Sequence, residues 1–231
     1  MMFDPIYFLF IGPGLILSLW ASFRVKSAFN KYSKVRSMRG LTGAEAAEEM
    51  LRCAGISGVR IVRSHGMLSD HYNPLNRTLN LSESVYDSNS IAAVGVATHE
   101  AGHALQHARN YAPLWVRSAL VPTANIGSGI GYFVMMIGLF LSSANMVLFG
   151  ALLFSAVLLF QIVTLPVEFN ASNRAKALVV EYGIVTADER QGIDRVLNAA
   201  AMTYVAAAIS TLLTLLYFLM RAGLLGGRSR D

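Results

Sequence analysis

The chain has 231 residues, of which 54% are hydrophobic and only 14% charged, against roughly a quarter charged in ordinary soluble domains, and this balance excludes a disordered, collagenous or ordinary cytosolic protein. The net charge of +5 is not a nucleic-acid signature, because six of the nineteen basic residues lie between Arg24 and Arg39 with no acidic residue among them, directly after an apolar segment, as on the cytoplasmic flank of a membrane helix. A single cysteine, Cys53, excludes an intrachain disulfide and any paired-cysteine zinc site, so a metal here would be held by histidines and carboxylates.

A bilayer core about 30 Å thick requires about 20 apolar residues per helical crossing. Three stretches lack Asp, Glu, Lys, Arg and His altogether: Pro5 to Phe23 with 19 residues, Ser118 to Val167 with 50, and Val196 to Met220 with 25. The first (residues 1–23) predicts one transmembrane helix, kinked at Gly12-Pro13-Gly14, and uncleaved because its start, Met-Met-Phe-Asp-Pro, carries no basic residue. Residues 24–117 form the largest polar region. Thr42-Gly-Ala-Glu45 reads as a capping box opening a helix over 44–53, with Gly55 just past its end. Two β-prone stretches follow, 59–62 and 78–81, separated by the turn-rich Ser69-Asp-His-Tyr-Asn-Pro74. A helix is predicted from Ile91 to Arg109 after Ser90 as N-cap. Residues 118–167 hold two crossings joined by a turn at Ser142-Ser143-Ala144-Asn145. A second polar region, 168–195, contains the capping box Thr186-Ala-Asp-Glu189, from which a helix runs into the last crossing, residues 196–221, and a tail, 222–231. The expected fold class is therefore an α-helical polytopic membrane protein with about four transmembrane helices and a small α+β domain on one face. The basic run sets the region after Phe23 on the cytoplasmic side, although the tail with Arg221, Arg228 and Arg230 would then lie outside.

The chemistry concentrates at His99-Glu100-Ala-Gly-His103. At 3.6 residues per turn, two histidines four apart share one helix face, and two imidazoles so placed can bind one zinc ion, with the intervening Glu100 able to reach a water without ligating the metal. Five histidines in 231 residues can produce this spacing by chance, but here it sits inside a predicted helix rich in small residues, Ala97, Ala101 and Gly102. A catalytic zinc takes three protein ligands and leaves a fourth position open. His107 drifts around the helix from His99 and reads as a solvated histidine, and the metzincin spacing H-x-x-G-x-x-H is absent. Glu168 is the stronger third candidate: two crossings return the chain to the side it left at Arg117, and Glu168 is the first charged residue after fifty uncharged ones, where an isolated carboxylate would be costly. Asp70, His71 and Tyr72 are candidates for lining the cleft, Arg174 for pairing with Glu168 or an oxyanion, and the stretch 77–81 for an edge strand that pairs with an extended substrate.

Three segments together, Val96-Ala-Thr-His-Glu-Ala-Gly-His-Ala-Leu-Gln-His107, Leu68-Ser-Asp-His-Tyr-Asn-Pro74 and Pro166-Val-Glu-Phe-Asn-Ala-Ser-Asn-Arg-Ala175, resemble the YugP-type family of membrane-bound neutral zinc metallopeptidases. They are more remotely similar to the HtpX and CAAX-protease peptidases, in which E-x-x-A-D follows a pair of membrane helices. Here Glu168-Phe-Asn-Ala171 keeps the first four positions and Ser172 replaces the Asp. The resemblance implies His99, His103 and Glu168 as ligands to one Zn2+ per chain and Glu100 as the catalytic carboxylate. It also implies an outer role for position 170, where Asn170 keeps an acceptor without the charge of the Asp seen in relatives. The expected function is a membrane-embedded zinc endopeptidase acting on protein or peptide substrates in a bacterial cytoplasmic membrane, active on the cytoplasmic side, with the lipid bilayer but no nucleic acid as partner. The alternative is a non-catalytic membrane scaffold with a structural zinc closed by a fourth ligand such as His71 or His107. Gly127-Ser-Gly-Ile-Gly131 offers small residues at i and i+4 for close helix packing, within the chain or in an oligomer.

Overall fold

The computed structural model describes residues 5–66 and 69–225; Asp4, Leu68, Arg228 and Arg230, which entered the sequence reading, lie outside them. In chain order the elements are α1 (Pro5–Tyr32), α2 (Gly43–Cys53), β1 (Arg60–Ser64), β2 (His71–Asn73), β3 (Thr78–Ser82), α3 (Glu83–Tyr86), α4 (Ile91–Ala108), α5 (Ala112–Ile126), a π-helical segment (Gly127–Gly131), α6 (Tyr132–Phe140), α7 (Ala144–Glu181) and α8 (Ala187–Arg221). Among the described residues, four helical stretches are long and apolar enough to cross a membrane: Pro5–Tyr32, Ala112–Phe140, Ala144–Glu181 and Ala187–Arg221. The chain divides into two compact units, one of residues 1–21, 115–165 and 203–231, the other of residues 22–114 and 166–202.

The first unit contains most of the apolar length. Its surface carries Leu9 and Leu152 at 70% exposure and Phe140 at 81%, a coat that water would not tolerate as a contiguous face and that lipid accepts. Within it, Tyr7 meets Tyr217 edge to face at 5.3 Å and Tyr132 meets Phe218 at 5.6 Å, geometry that favours aromatic quadrupoles. Helix α1 continues through Pro13. The Ser210 hydroxyl lies 3.0 Å from the Gly14 carbonyl, and a Cβ on Gly14 would stand 2.9 Å from Ser210 Oγ, so α8 lies close against α1 beside the proline. The connection between α6 and α7 falls where its small polar residues predict it: Ser142 takes a positive φ of 53°, and the Ser142 and Ser143 amides donate to the Leu139 and Gly138 carbonyls, the paired bonds of a Schellman turn. Gly127, Gly131 and Gly150 of this hairpin serve packing inside the chain. A Cβ on Gly131 would stand 2.7 Å from Phe154 N, and one on Gly150 2.6 Å from Met135 N, so backbone lies directly on backbone.

The second unit is an α+β assembly. The Thr42 capping box forms as its sequence requires, Thr42 Oγ1 accepting from Glu45 N at 3.2 Å and Glu45 Oε2 from Thr42 N at 2.8 Å. Helix α2 buries Ala46, Ala47, Met50 and Leu51 in a core shared with Leu79, Leu81, Val94, Ala101 and Leu105. The sheet order is β1-β3-β2, with β1 parallel to β3 (Ile61 opposite Leu79) and β2 antiparallel to it (Tyr72 opposite Leu79). Two expectations change here. The stretch 77–81 is the central strand, its Leu79 and Leu81 fully buried, and not an edge available to substrate. The edge role passes to β2, which lies within the segment read as a turn: three residues hemmed by Ser69-Asp70 and Pro74 are too few to display a period of two. The first helix also runs on past Phe23, so Arg24, Lys26 and Lys31 are helical and exposed.

Because Gly131 faces backbone while Gly129 has nothing within 4 Å of its missing Cβ, Gly131→Leu should lower the stability of the hairpin by about 1–3 kcal/mol or more, the usual cost of overpacking. Gly129→Ala should leave it unchanged. The thermal unfolding midpoints of the two variants in detergent micelles test the pair.

Candidate metal centre

Helix α4 carries the motif, and its sequence dictates its position. Ser90 caps it, its hydroxyl accepting from Ala93 N at 3.2 Å, and the helix is buried from Ile91 to Gln106 apart from Val96 and His99, which keep partial exposure. Its small residues permit this. A Cβ on Gly95 would touch the Ile193 side chain of α8, and one on Gly102 would stand 2.7 Å from the Ala171 carbonyl of α7. Only a glycine at 102 lets α7 approach closely enough to deliver Glu168.

His99 and His103 stack one turn apart, ring centroids 4.8 Å apart and planes at 81°. Glu168, 2% exposed, points its Oε2 at both, 3.3 Å from His99 Nε2 and 3.6 Å from His103 Nε2. Each of the three residues offers one ligand atom, and these atoms lie within 4.8 Å of one another. Ligand atoms about 2.0–2.2 Å from a tetrahedral zinc lie roughly 3.3–3.5 Å apart along the tetrahedron's edges, so the separations of 3.3 and 3.6 Å from Glu168 Oε2 suit a common ion. The donor set, two imidazoles and a carboxylate, suits zinc as well. Among the described residues this is the one such group of three or more His, Cys, Asp or Glu side chains. In its metal-free form the burial of His103 opposes a charge on its ring, yet the Glu168 and Glu100 carboxylates outweigh that and hold its pKa above the usual imidazole value.

The outer contacts fix both rings. His99 Nδ1 lies 3.1 Å from Ser172 Oγ, and His103 Nδ1 lies 3.0 Å from Gln106 Oε1, so each Nε2 is the nitrogen turned toward Glu168. Sequence reading missed Ser172 and Gln106 as partners of these rings, although a signal was present: Gln106 follows His103 by three residues on α4, and Ser172 follows Glu168 by four on α7, so each shares a helix face with one of the three candidate ligands. Asn170 does not touch a histidine; it accepts from Gln106 Nε2 at 3.0 Å. Arg174 donates from Nε to Asn170 Oδ1 at 2.7 Å, a different partner from the Glu168 or oxyanion contact considered for it.

Glu100 is buried, and its Oε2 accepts from the Tyr72 amide of β2 at 3.0 Å. The edge strand thus turns a backbone N–H toward α4. The Tyr72 hydroxyl meets His107 Nδ1 at 2.8 Å, which places His107 outside the three-ligand group. Burial and the nearby Arg77 hold the His107 pKa below its ordinary value. His71 is exposed and bonded instead to the Ser69 carbonyl, 2.7 Å from Nδ1, and to Asn80 Nδ2, 3.2 Å from Nε2. Asp70 caps the start of α3, accepting from Ser82 N at 2.7 Å and from its hydroxyl. His65 sits on the surface beside Glu83.

Among the described residues, four apolar helices and a largely buried His-His-Glu group on an H-E-x-x-H helix define a membrane protein with a candidate metallopeptidase centre. Residues 7–223 match the family model described as "Putative neutral zinc metallopeptidase", and the chain belongs to that family. It is similar to the "Putative membrane protease YugP" of Bacillus subtilis (strain 168), 48% identical over 204 residues that cover 88% of this chain and 91% of that protein. No solved structure matches.

A methyl group at position 102 would stand against the Ala171 backbone, which cannot yield as a flexible side chain would. Gly102→Ala should therefore push α4 and α7 apart, separate the histidines from Glu168, and weaken zinc binding by about tenfold or more, as loss of ligand orientation commonly does. Competition with a chromophoric chelator measures this directly.

Proposed function

We propose that the protein is a membrane-embedded zinc endopeptidase in which His99, His103 and Glu168 hold one zinc ion per chain and Glu100 is the proton-transferring group. The observation that carries this reading is the convergence of His99 Nε2, His103 Nε2 and Glu168 Oε2 from two helices, with Glu100 on the same turn of α4. Bound zinc supplies two things at such a site, a lowered pKa for the attacking water and polarisation of the scissile carbonyl. Glu100 takes a proton from that water and returns it to the departing amine. Its carboxylate accepts from the Tyr72 amide at 3.0 Å, which sets its direction. β2, whose amide faces Glu100, is the strand along which an extended substrate segment lies.

The exposed basic residues from Arg24 to Arg39 support a cytoplasmic position for the region that carries the site, in a bacterial cytoplasmic membrane, by the excess of Lys and Arg found on that side of short loops. The α+β unit is then the peptidase domain, on the cytoplasmic face, and proteins of the membrane or its surface are its substrates. A structural zinc is normally closed by four protein ligands. The three-residue group, with His71 and His107 engaged elsewhere, favours the open, catalytic arrangement over a scaffold.

The test uses protein purified in detergent without chelator. Wild type should contain about one zinc per chain, His99→Ala none, and Glu168→Gln much less. Glu100→Gln should keep the metal while hydrolysis of an unfolded model substrate such as casein falls by about 10²-fold or more, the range expected when a proton-transfer group is removed. Wild type without stoichiometric zinc would overturn the reading. Unchanged hydrolysis in Glu100→Gln would overturn the mechanism.

A further inference from the structure

Gln106 is fully buried, lies outside the H-E-x-x-H motif, and engages both its amide nitrogen and its amide oxygen in hydrogen bonds. We propose that it is a positioning residue that fixes the tautomer and ring plane of His103, and that Asn170 and Arg174 form the outer part of the same clamp. The proposal rests on the reading of His103 as a metal ligand.

The direction of each bond follows from donor and acceptor chemistry. The Gln106 nitrogen lies 2.8 Å from the Val167 carbonyl and 3.0 Å from Asn170 Oδ1. A carbonyl only accepts, so the atom facing it is the amide NH2, and both its hydrogens are taken up. The amide oxygen is then left facing His103 Nδ1 at 3.0 Å, and an acceptor there requires the imidazole hydrogen on Nδ1. The lone pair belongs to Nε2, the nitrogen turned toward Glu168. The reversed amide would set its oxygen against the Val167 carbonyl, two acceptors in contact inside a buried site, which costs far more than one hydrogen bond returns.

Asn170 is the second point of support, and its own orientation is set by Arg174. A guanidinium only donates, so Arg174 Nε at 2.7 Å selects Oδ1 of Asn170 as the atom that faces both it and Gln106. The two residues are four apart on α7, where side chains adjoin. Arg174 thus acts on the metal site through two neutral amides without touching a ligand. The clamp also joins the two ligand-bearing helices, since Gln106 and His103 come from α4 while Val167 and Asn170 flank Glu168 on α7.

Zinc affinity, read by chelator competition on the full-length protein in detergent, tests the clamp. Outer groups that orient metal-binding histidines commonly contribute 10- to 100-fold in affinity. Gln106→Leu and Asn170→Leu should each lose about tenfold or more, whereas Asn170→Asp, which keeps an oxygen acceptor for both donors, should stay within about threefold of wild type. Arg174→Met should lose a smaller factor in wild type and none in the Asn170→Leu background, because its effect passes through Asn170. The Co(II)-substituted protein gives a second readout, since its visible absorption should shift in Asn170→Leu and return in Asn170→Asp. Gln106 is buried deeply enough that its replacement can disturb folding, so the half-buried Asn170 and Arg174 carry the decision. If wild type binds zinc and Asn170→Leu and Arg174→Met bind it equally well, or if Arg174→Met costs the same factor in both backgrounds, the clamp is wrong and the ligand assignment stands. If wild type binds no zinc, the ligand assignment falls and takes the clamp with it.

Discussion

The structure turns on one carboxylate. Glu168 lies at 2% exposure directly after fifty residues without a charge, a position where an ion is tolerated only if opposite charge is brought to it. Two imidazoles on one turn of α4 meet it at 3.3 and 3.6 Å. Everything that shapes the surrounding unit serves to make that meeting close. Gly102 lets the α4 backbone rest on the Ala171 carbonyl, and at Gly95 the helix faces the Ile193 side chain of α8. The capped α2 and the buried central strand β3 fill the other side of α4 with Met50, Leu79 and Leu81, so the helix that presents the histidines is held on several sides. An exposed loop would not hold side chains to the tolerance that metal ligation demands.

How much of this the sequence discloses depends on the range over which each signal acts. The helices long enough to cross a membrane are written in composition, which needs no tertiary context. The two capping boxes are local chemistry and form as read, the second with Thr186 N donating to Glu189 Oε2 at 2.8 Å. His99 and His103 share a face because of helix periodicity alone. Glu168 required a topological step, counting crossings, and that step brings it to the histidines. What stayed hidden was pairing between distant segments. Nothing in His71-Tyr72-Asn73 announces that three residues between turns become the outer strand, or that the Tyr72 amide reaches Glu100 across 28 positions. The stretch 77–81 has the appearance of any short strand, and only the formation of β2 on one side and β1 on the other makes it central. Arg174 illustrates the same limit at short range: its charge suggests a carboxylate partner, while its spacing of four selects Asn170.

The glycines carry a related lesson. Gly127, Gly131 and Gly102 look alike in the sequence, small residues in helices, and each meets a neighbouring backbone. In the hairpin that contact substitutes for the hydrophobic driving force that lipid does not provide between helices. At Gly102 the same approach sets a distance between ligand-bearing helices. One physical device, a helix face without Cβ atoms, thus serves packing in one unit and chemistry in the other.

The charge of the outer groups bears on how the site can be buried at all. Related peptidases place an Asp where this chain has Ser172, and Asn170 occupies a position where a carboxylate is also compatible with its contacts. Here the groups that face the rings and their supports, Ser172, Gln106 and Asn170, are all neutral. A divalent cation between Glu168 and Glu100 would already be balanced, so a further carboxylate at position 172 would add net negative charge in a region of low dielectric, where desolvation of an uncompensated ion is costly, whereas one at position 170 would face the Arg174 guanidinium. An oxygen acceptor is sufficient to fix an imidazole tautomer, and the Gln106 amide supplies one to His103, while the Ser172 hydroxyl, which can donate or accept, holds the His99 ring in place. They increase the basicity of the ring less than a carboxylate would. The balance struck is between a histidine made a stronger ligand by a charged partner and a centre whose total charge allows it to stay dry. With Glu168 and Glu100 both buried, the second requirement governs, and the neutral clamp satisfies it while keeping the geometry.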